Sequence, residues 1–313
     1  MALRYRKKLF LLPVIFIFAL GFAFALQSCV DTNAENNGKL KIVATLFPQY
    51  DFARQIAGDK ADVILLLPPG SESHSFDPKP GDMLKINNAG LFLYTGKDME
   101  PWAETILKGI SNKNLTVIDC SKNTEMLDYD GHDGDHDHGA DPHIWLNPEN
   151  AVKIVGNILA ALCEKDPENA DFYRKNAEDY TKKLQKLNGD IREAIKNAER
   201  NIIVFGGRFA YIYFLEHFEL DYVTAYDSCS SHDEPNAAKI SQIIKFIREN
   251  NIPCIYYEEL SDPKVARKIA GETNIKCLQF STAHNVSKDE FDAGITFLDI
   301  MYANLENLKK GLY

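Results

Sequence analysis

The chain has 313 residues, of which 45% are hydrophobic and 26% are charged, and its formal net charge at pH 7 is −10. This length predicts about two domains. The acidic balance argues against nucleic acid as a partner, because binding to phosphates requires clustered basic side chains.

The first 28 residues have the organisation of a bacterial secretory signal. Four basic residues precede an apolar run, Leu9–Leu26, which ends at Gln27-Ser28-Cys29. This ending resembles a lipobox, which predicts that Cys29 is the lipidated first residue of the mature protein. The alternative is an uncleaved membrane anchor, since 18 apolar residues could just span a bilayer. In either case the remaining chain, with a net charge of −14, works outside the cytoplasm at a membrane surface.

Strands and helices alternate from residue 39 to 166, after a polar tether at 29–38. A βα alternation of this kind predicts a parallel sheet with helical crossovers, and we assign residues 39–166 to an N-terminal lobe. The predicted strands are Lys41–Leu46, Val63–Leu67, Leu91–Tyr94 and Leu115–Ile118. The predicted helices are Pro48–Ala57, Gly81–Asn88, Met99–Ile110 and Glu149–Glu164.

Residues 167–200 are predicted to form one long linking helix. Apolar residues recur there at steps of four and three, which is the spacing of one helical face. These residues are Tyr173, Ala177, Tyr180, Leu184, Leu187 and Ile191. The charged residues between them indicate solvated faces, so we interpret this helix as a rigid connection between two lobes.

Beyond the linking helix, residues 201–313 repeat the βα scheme as a C-terminal lobe. The predicted strands are Ile202–Phe205, Tyr222–Ala225, Cys254–Tyr257 and Cys277–Phe280. The predicted helices are Phe209–His217, Asn236–Asn250, Pro263–Thr273 and Lys288–Lys309. The predicted fold class is therefore α/β, with two lobes, each a four-stranded parallel sheet flanked by helices, bridged by one long rigid helix. Ligands bind beyond the carboxyl ends of such strands, which here face a common cleft.

Three of the eight histidines lie on predicted cleft-side loops. His74 follows the second strand, His143 precedes a helix, and His284 follows the last strand. A single histidine on a loop is most often a surface residue. Three that converge on one cleft favour a metal site instead, because neutral imidazole is a good ligand for Zn²⁺ and its neighbours. His217, on a predicted helix, is assigned no role.

The loop 128–141 combines histidine and aspartate with almost no apolar residue. Its histidines are His132, His136 and His138. This composition cannot build a core, so we predict a weak, exchangeable metal-loading loop, with a merely solvated loop as the alternative.

At these residues the chain resembles the metal-binding lipoproteins that serve ABC importers of zinc or manganese. The resemblance covers essentially the whole mature chain. It rests on the Pro-rich loop around His74, the motif Asp141-Pro-His-Ile-Trp-Leu-Asn-Pro148, the linking helix and the His/Asp-rich insertion. It implies the cluster A-I fold, a single metal between two lobes, and delivery to a membrane permease. It also implies that His74 and His143 are metal ligands.

The resemblance is incomplete in the C-terminal lobe. The family's third ligand, a His or Glu, falls on Arg208, which stays protonated and does not coordinate a metal. The fourth, an Asp, falls near Thr282. We therefore predict that His284 and Cys229 complete the site, with Arg208 as a nearby group that does not bind the metal or that holds Cys229 as a thiolate. The alternative is a metal held by His74, His143 and water alone.

The predicted function is capture of a divalent metal, Zn²⁺ in preference to Mn²⁺, by a monomeric non-enzymatic lipoprotein that delivers it to an ABC permease. Imidazole favours zinc, whereas carboxylates favour manganese. One alternative is a zinc hydrolase, with Glu72, Asp77 or Glu259 as the general base. Another is a binder of haem or a metal–siderophore complex, in which Arg208 pairs with an anionic group.

Overall fold

The computed structural model of the protein describes residues 38–127, 140–226 and 237–313. Two four-stranded parallel sheets lie within these ranges, one in each half of the chain, so the predicted fold class is confirmed. Leu40–Tyr313 form one compact unit. The predicted signal peptide, all but the last residue of the tether, and most of the His/Asp-rich loop lie outside the described residues.

The first sheet has the strand order β2-β1-β3-β4, and every neighbouring pair is parallel. Alternate residues of β1 and β3 belong to two different apolar clusters, because helices cover both faces of the sheet. The strands are β1 Leu40–Ala44, β2 Ala61–Leu65, β3 Leu91–Tyr94 and β4 Thr116–Asp119. The helices are α1 Phe47–Ala57, α2 Pro80–Asn87 and α3 Ala103–Lys108.

Helix α3 is shorter than the predicted Met99–Ile110. The side chain of Glu100 is buried and accepts hydrogen bonds from the backbone N–H groups of Thr95 and Gly96, at 3.0 and 3.2 Å. The hydroxyl of Thr45 donates to the same carboxylate at 2.5 Å. These bonds hold the chain before α3 in turns. The prediction was too long because it used apolar spacing, which carries no information about these hydrogen bonds.

Along the chain, two helices separate the strands of the two sheets. They are α4 Pro148–Lys165 and α5 Ala170–Lys196, with a 3₁₀ turn at Pro167–Asn169 between them. Helix α5 has 27 residues, which corresponds to about 40 Å. All six members of the predicted apolar stripe are buried, which confirms the predicted face. Of the helices in the described ranges, none is long and apolar enough to cross a membrane.

The second sheet repeats the first, with the strand order β6-β5-β7-β8 and parallel neighbours. Its strands are β5 Ile202–Phe205, β6 Asp221–Thr224, β7 Cys254–Tyr257 and β8 Lys276–Gln279. The helices that accompany it are α6 Ile212–Phe218, α7 Ala237–Glu249 and α8 Lys264–Thr273.

The predicted final helix, Lys288–Lys309, is wrong as one element. The structure has two helices, α9 Lys288–Asp292 and α10 Phe297–Leu312. Gly294 adopts a φ of +77°, which ends the first helix. The Thr296 side chain then accepts from the backbone N–H of Asp299, whose carboxylate accepts from the N–H of Thr296, so a capping box starts the second helix.

Helix α5 packs against α1 and α4 of the N-terminal half and against α10 of the C-terminal half. The buried Asp51 on α1 joins three of these helices. One carboxylate oxygen accepts from Tyr180 on α5 at 3.2 Å and from the backbone N–H of Phe297, the first residue of α10, at 2.8 Å. The other pairs with Arg54 at 2.6 Å. One apolar core therefore runs through both halves.

Candidate metal centre

The three histidines meet where loops from the two halves come together. His74 lies between β2 and α2, His143 immediately before the 3₁₀ turn Ile144–Leu146, and His284 between β8 and α9. One ring nitrogen of each lies within 4.8 Å of the others. The ring centroids of His143 and His284 are 4.5 Å apart, and those of His74 and His284 are 5.1 Å apart. The structure thus brings together all three histidines that the sequence singled out.

Hydrogen bonds fasten the loop that carries His74 to the loop that carries His284. The backbone N–H of Gly70 donates to the carbonyl of Val286 at 2.8 Å. The amide of Asn285 donates to the carbonyls of Pro68 and Ser71 at 2.7 and 3.0 Å. The geometry of the cluster therefore depends on contacts between the two halves of the chain.

His143 is completely buried and lies against the carboxylate of Asp141. Its Nδ1 is 2.8 Å from Asp141 Oδ1, which also accepts from the backbone N–H of His143 at 2.9 Å. A carboxylate in this position favours the tautomer protonated at Nδ1 and leaves the Nε2 lone pair for a metal. Burial acts to raise the pKa of Asp141, but the charge of His143 and its hydrogen bonds outweigh burial and lower that pKa.

His284 is held by a network centred on Glu259, the second residue after β7. The Glu259 carboxylate accepts from the Thr282 N–H at 2.7 Å, from the Thr282 hydroxyl at 2.6 Å and from the His284 N–H at 3.1 Å. The Thr282 hydroxyl oxygen also contacts His284 Nδ1. Ala283, between them, has a φ of +58° and is buried, which is uncommon for a residue with a side chain.

The cluster is a poor environment for an imidazolium ion. Burial, and then the charges of His143 and His74, lower the pKa of His284 well below its ordinary value, so the ring is neutral. The buried Nε2 of His284 has no hydrogen-bond partner among the described residues, a condition that is costly unless a ligand supplies one. The Trp145 ring packs edge-on against His143 and His284 and excludes water from that side.

A cavity of about 100 Å³ adjoins the cluster. Its wall includes His74, His284, Arg208, Glu258 and Leu260. The backbone N–H of Arg208 donates to Glu258 Oε2 at 2.9 Å. Arg208, which the resemblance places at the third ligand position, thus lies on the wall of the cavity that the histidines border.

Two of the carboxylates considered as general bases have structural partners. Glu72 accepts from the backbone N–H groups of His74 and Ser75 at 3.0 and 2.7 Å. Glu259 holds the loop of His284, as described above. Among the described residues, the ligand group consists of the three histidines and includes neither these two nor Asp77.

His217, to which the sequence analysis assigned no role, is not part of this cluster. Nε2 of His217, on α6, lies 3.0 Å from the Asn188 side-chain oxygen and 3.1 Å from Arg192. Five predicted residues lie outside the described residues: Cys229, Cys29, His132, His136 and His138.

Sequence reasoning did not assign roles to Asp141, Trp145 or Thr282 in supporting the histidines. Asp141 and Trp145 each lie two residues from His143 in the motif that carried the resemblance, so their proximity was a usable signal. The contact between Glu259 and Thr282 joins residues 23 positions apart, and no local pattern encodes it.

The chain matches the family described as "Zinc-uptake complex component A periplasmic" over residues 42–311. The chain is 34% identical to the high-affinity zinc uptake system protein ZnuA of Bacillus subtilis, over 91% of this chain and 92% of that one. It is 31% identical to the zinc-binding lipoprotein AdcA of Streptococcus pneumoniae, over 92% of this chain. It spans 58% of that longer relative's length.

Solved structures give the same picture. The metal-dependent lipoprotein YcdH from Bacillus subtilis has a TM-score of 0.76 at 34% identity and covers 88% of this chain and 99% of its own. The Zn(II)-bound ZnuA-like domain of Streptococcus pneumoniae AdcA has a TM-score of 0.75 at 30% identity, with the same two coverages. Because the family match spans most of its length, the chain belongs to the family of periplasmic zinc-uptake components, the ZnuA family.

Proposed function

We propose that the protein captures a zinc ion outside the cytoplasm, with His74, His143 and His284 as ligands, and delivers it to an ABC permease. The observation that carries the proposal is the convergence of three ligand nitrogens within 4.8 Å where the two halves meet. Nitrogens around one tetrahedral zinc ion, at about 2.0–2.1 Å from it, are about 3.4 Å apart. Small rotations of the rings therefore suffice to close the site on the ion.

The chemistry of the ligands favours zinc over manganese. Three neutral imidazoles suit Zn²⁺, whereas Mn²⁺ prefers carboxylate oxygens, and the ligand group found among the described residues has no carboxylate. Zinc also lies above manganese in intrinsic affinity. The names of the relatives, a zinc uptake protein and a zinc-binding lipoprotein, agree with this choice.

The fourth coordination position is assigned to Cys229, with water as the alternative. A thiolate would add negative charge to three neutral ligands and complete a tetrahedral set. Arg208 then stabilises the thiolate by its charge from the wall of the cavity. Comparison of Cys229→Ser with the parent tests this assignment, because cobalt bound to a thiolate shows a charge-transfer band that the variant must lose.

Outside the cleft, the proposal assigns three further features. Cys29 carries the lipid anchor at the outer face of the bacterial cell membrane, residues 128–141 act as a weak loading loop, and the protein works as a monomer. It binds and releases its metal without chemical conversion of a substrate. A hydrolase would need a free base at the metal, and the carboxylates of Glu72 and Glu259 instead hold backbone N–H groups of the ligand loops.

Metal analysis and zinc titration of untagged protein test this function. Parent protein is expected to bind one zinc tightly, and alanine variants of His74, His143 and His284 are each expected to lose that affinity by at least tenfold. His217→Ala is the matched control, since His217 contacts Asn188 and Arg192 instead of the cluster. Retention of full affinity by two of the three alanine variants would contradict the assigned site.

A further inference from the structure

Each histidine of the cluster has a carboxylate of its own, but the connection differs. Asp141 contacts the His143 ring directly, and Glu72 binds the backbone N–H of His74. His284 contacts the hydroxyl of Thr282, which in turn donates to Glu259. The ring and the carboxylate lie too far apart for a direct hydrogen bond, with 3.9 Å between His284 Nδ1 and Glu259 Oε1.

We propose that Thr282 and Glu259 are positioning residues for His284. The Thr282 hydroxyl accepts a hydrogen bond from Nδ1–H of His284 and donates a hydrogen bond to Glu259. This arrangement leaves Nε2 unprotonated, as the metal-binding nitrogen. This proposal rests on the assignment of His284 as a zinc ligand.

The direction of these hydrogen bonds follows from the number of protons available. A hydroxyl has one hydrogen to donate, and an ionised carboxylate has none. Glu259 accepts three hydrogen bonds from residues 282–284, including the one from the Thr282 hydroxyl. With Glu259 ionised, the hydroxyl oxygen can only accept from His284 Nδ1, so the ring carries its proton there.

Other contacts also fix the backbone around Thr282, independently of the hydrogen bonds that connect His284, the Thr282 hydroxyl and Glu259 (the relay). Asn304 on α10 accepts from the Ser281 N–H and donates to the Ser281 carbonyl, both at 2.7 Å. The Trp145 indole N–H donates to the Thr282 carbonyl at 2.7 Å. Because these contacts hold the loop, removal of the Thr282 hydroxyl alone should change the tautomer of the His284 ring and leave the fold intact.

The relay gives a physical reason for the residue at the family's fourth ligand position. Thr282 stands near the place where the resemblance predicts an Asp ligand, and its side chain is a poor ligand for zinc. In this chain the same position supports the histidine two residues later.

The test measures the tautomer of His284 in zinc-free protein by long-range ¹H–¹⁵N NMR, together with zinc affinity by competition with a chelator. The parent is expected to be protonated at Nδ1. Thr282→Val is nearly isosteric and should give a mixture of tautomers and weaken zinc binding by about 10- to 100-fold, the usual cost of losing a group that orients a metal ligand. Thr282→Ser should restore both properties, and Glu259→Gln should lower the affinity in the same range.

Thr105→Val, on the exposed side of α3, is the matched control and should change neither quantity. A parent His284 protonated at Nε2 would overturn the relay, as would a folded Thr282→Val variant with unchanged tautomer and affinity. The site assignment fails separately. In that case His284→Ala would bind zinc as tightly as the parent, although the NMR signature of the relay persisted in the parent.

Discussion

The hydroxyl of Tyr213 donates a hydrogen bond to the backbone carbonyl of Asp141 at 2.8 Å. The same hydroxyl accepts from the backbone N–H of Leu127 at 2.9 Å. Tyr213 lies on α6 in the C-terminal half, whereas Leu127 and Asp141 lie on either side of the segment 128–139, the larger part of the His/Asp-rich loop. One side chain therefore links the two ends of that segment, and one of these ends, Asp141, also contacts the His143 ring.

Tyr213→Phe removes both hydrogen bonds and keeps the packing of the ring. We expect zinc affinity to fall by about tenfold, because Asp141 then holds His143 less firmly. Chelator competition measures the effect. Tyr222→Phe, at a half-exposed ring on β6, is the control. Unchanged affinity in a folded Tyr213→Phe protein would show that this contact does not support the site.

Asp51→Ala is expected to lower the free energy of unfolding by about 3–5 kcal/mol, because it leaves Arg54 without its buried partner and Phe297 N–H without an acceptor. Urea unfolding of zinc-free protein measures this change. Asp59→Ala is the control, since that side chain is 77% exposed just beyond α1. A loss below about 1 kcal/mol would mean that the three helices hold together without this carboxylate.

Glu100 predicts a pH dependence of stability. Burial raises its pKa to about 7, against the hydrogen bonds from Thr45, Thr95 and Gly96, which lower it. The folded state therefore binds a proton more tightly than the unfolded state, so this stabilisation is present in full below the unfolded pKa and is lost as the pH rises through about 7. Between pH 5 and pH 8 the contribution of Glu100 should fall by roughly 2–3 kcal/mol.

Urea unfolding of the parent and of Glu100→Gln at both pH values measures this contribution. The variant has no titrating group at that position, so the difference between the two proteins isolates the effect of Glu100. If both proteins change equally between pH 5 and pH 8, the carboxylate is ionised throughout the range.

Deletion of residues 128–139 should remove weak zinc equivalents and leave one tight equivalent. The deletion is structurally feasible because the backbone N–H of Asp141 donates to the Leu127 carbonyl at 2.9 Å, so the two ends are already adjacent. Isothermal titration with zinc counts both classes of site. Disappearance of the tight equivalent would place the main site in the deleted segment.

Cys29→Ala should abolish the lipid anchor and leave the protein uncleaved or released from the membrane. Cells grown with labelled fatty acid provide the measurement, with Cys163→Ala as a control that retains the predicted lipidation site. Incorporation of label into the Cys29 variant would refute lipidation at this residue.

Periodic and local signals carried most of the prediction from sequence. The apolar stripe of α5 depends only on spacing, and the placement of His74 and His284 depends only on which loops follow parallel strands. The break at Gly294 was missed because the apolar spacing continues across it, although Thr296 and Asp299 are a recognisable capping pair. The support of His284 was not predictable, because it requires the left-handed backbone of Ala283 and a partner 23 residues away from Thr282.

The apolar core that α1, α5 and α10 share bears on how the cargo leaves. A hinge motion that separated the two sheets would expose this core to water, at a cost of about 25 cal/mol for each Å² of apolar surface. The loops around His74 and His284 are joined across the cleft by hydrogen bonds, including those of Gly70 and Asn285, and each such bond contributes only about 1 kcal/mol. Of the three rings, His74 belongs to an exposed residue. We therefore expect the ion to leave through release of the loop that carries His74, with the apolar core beneath it unchanged.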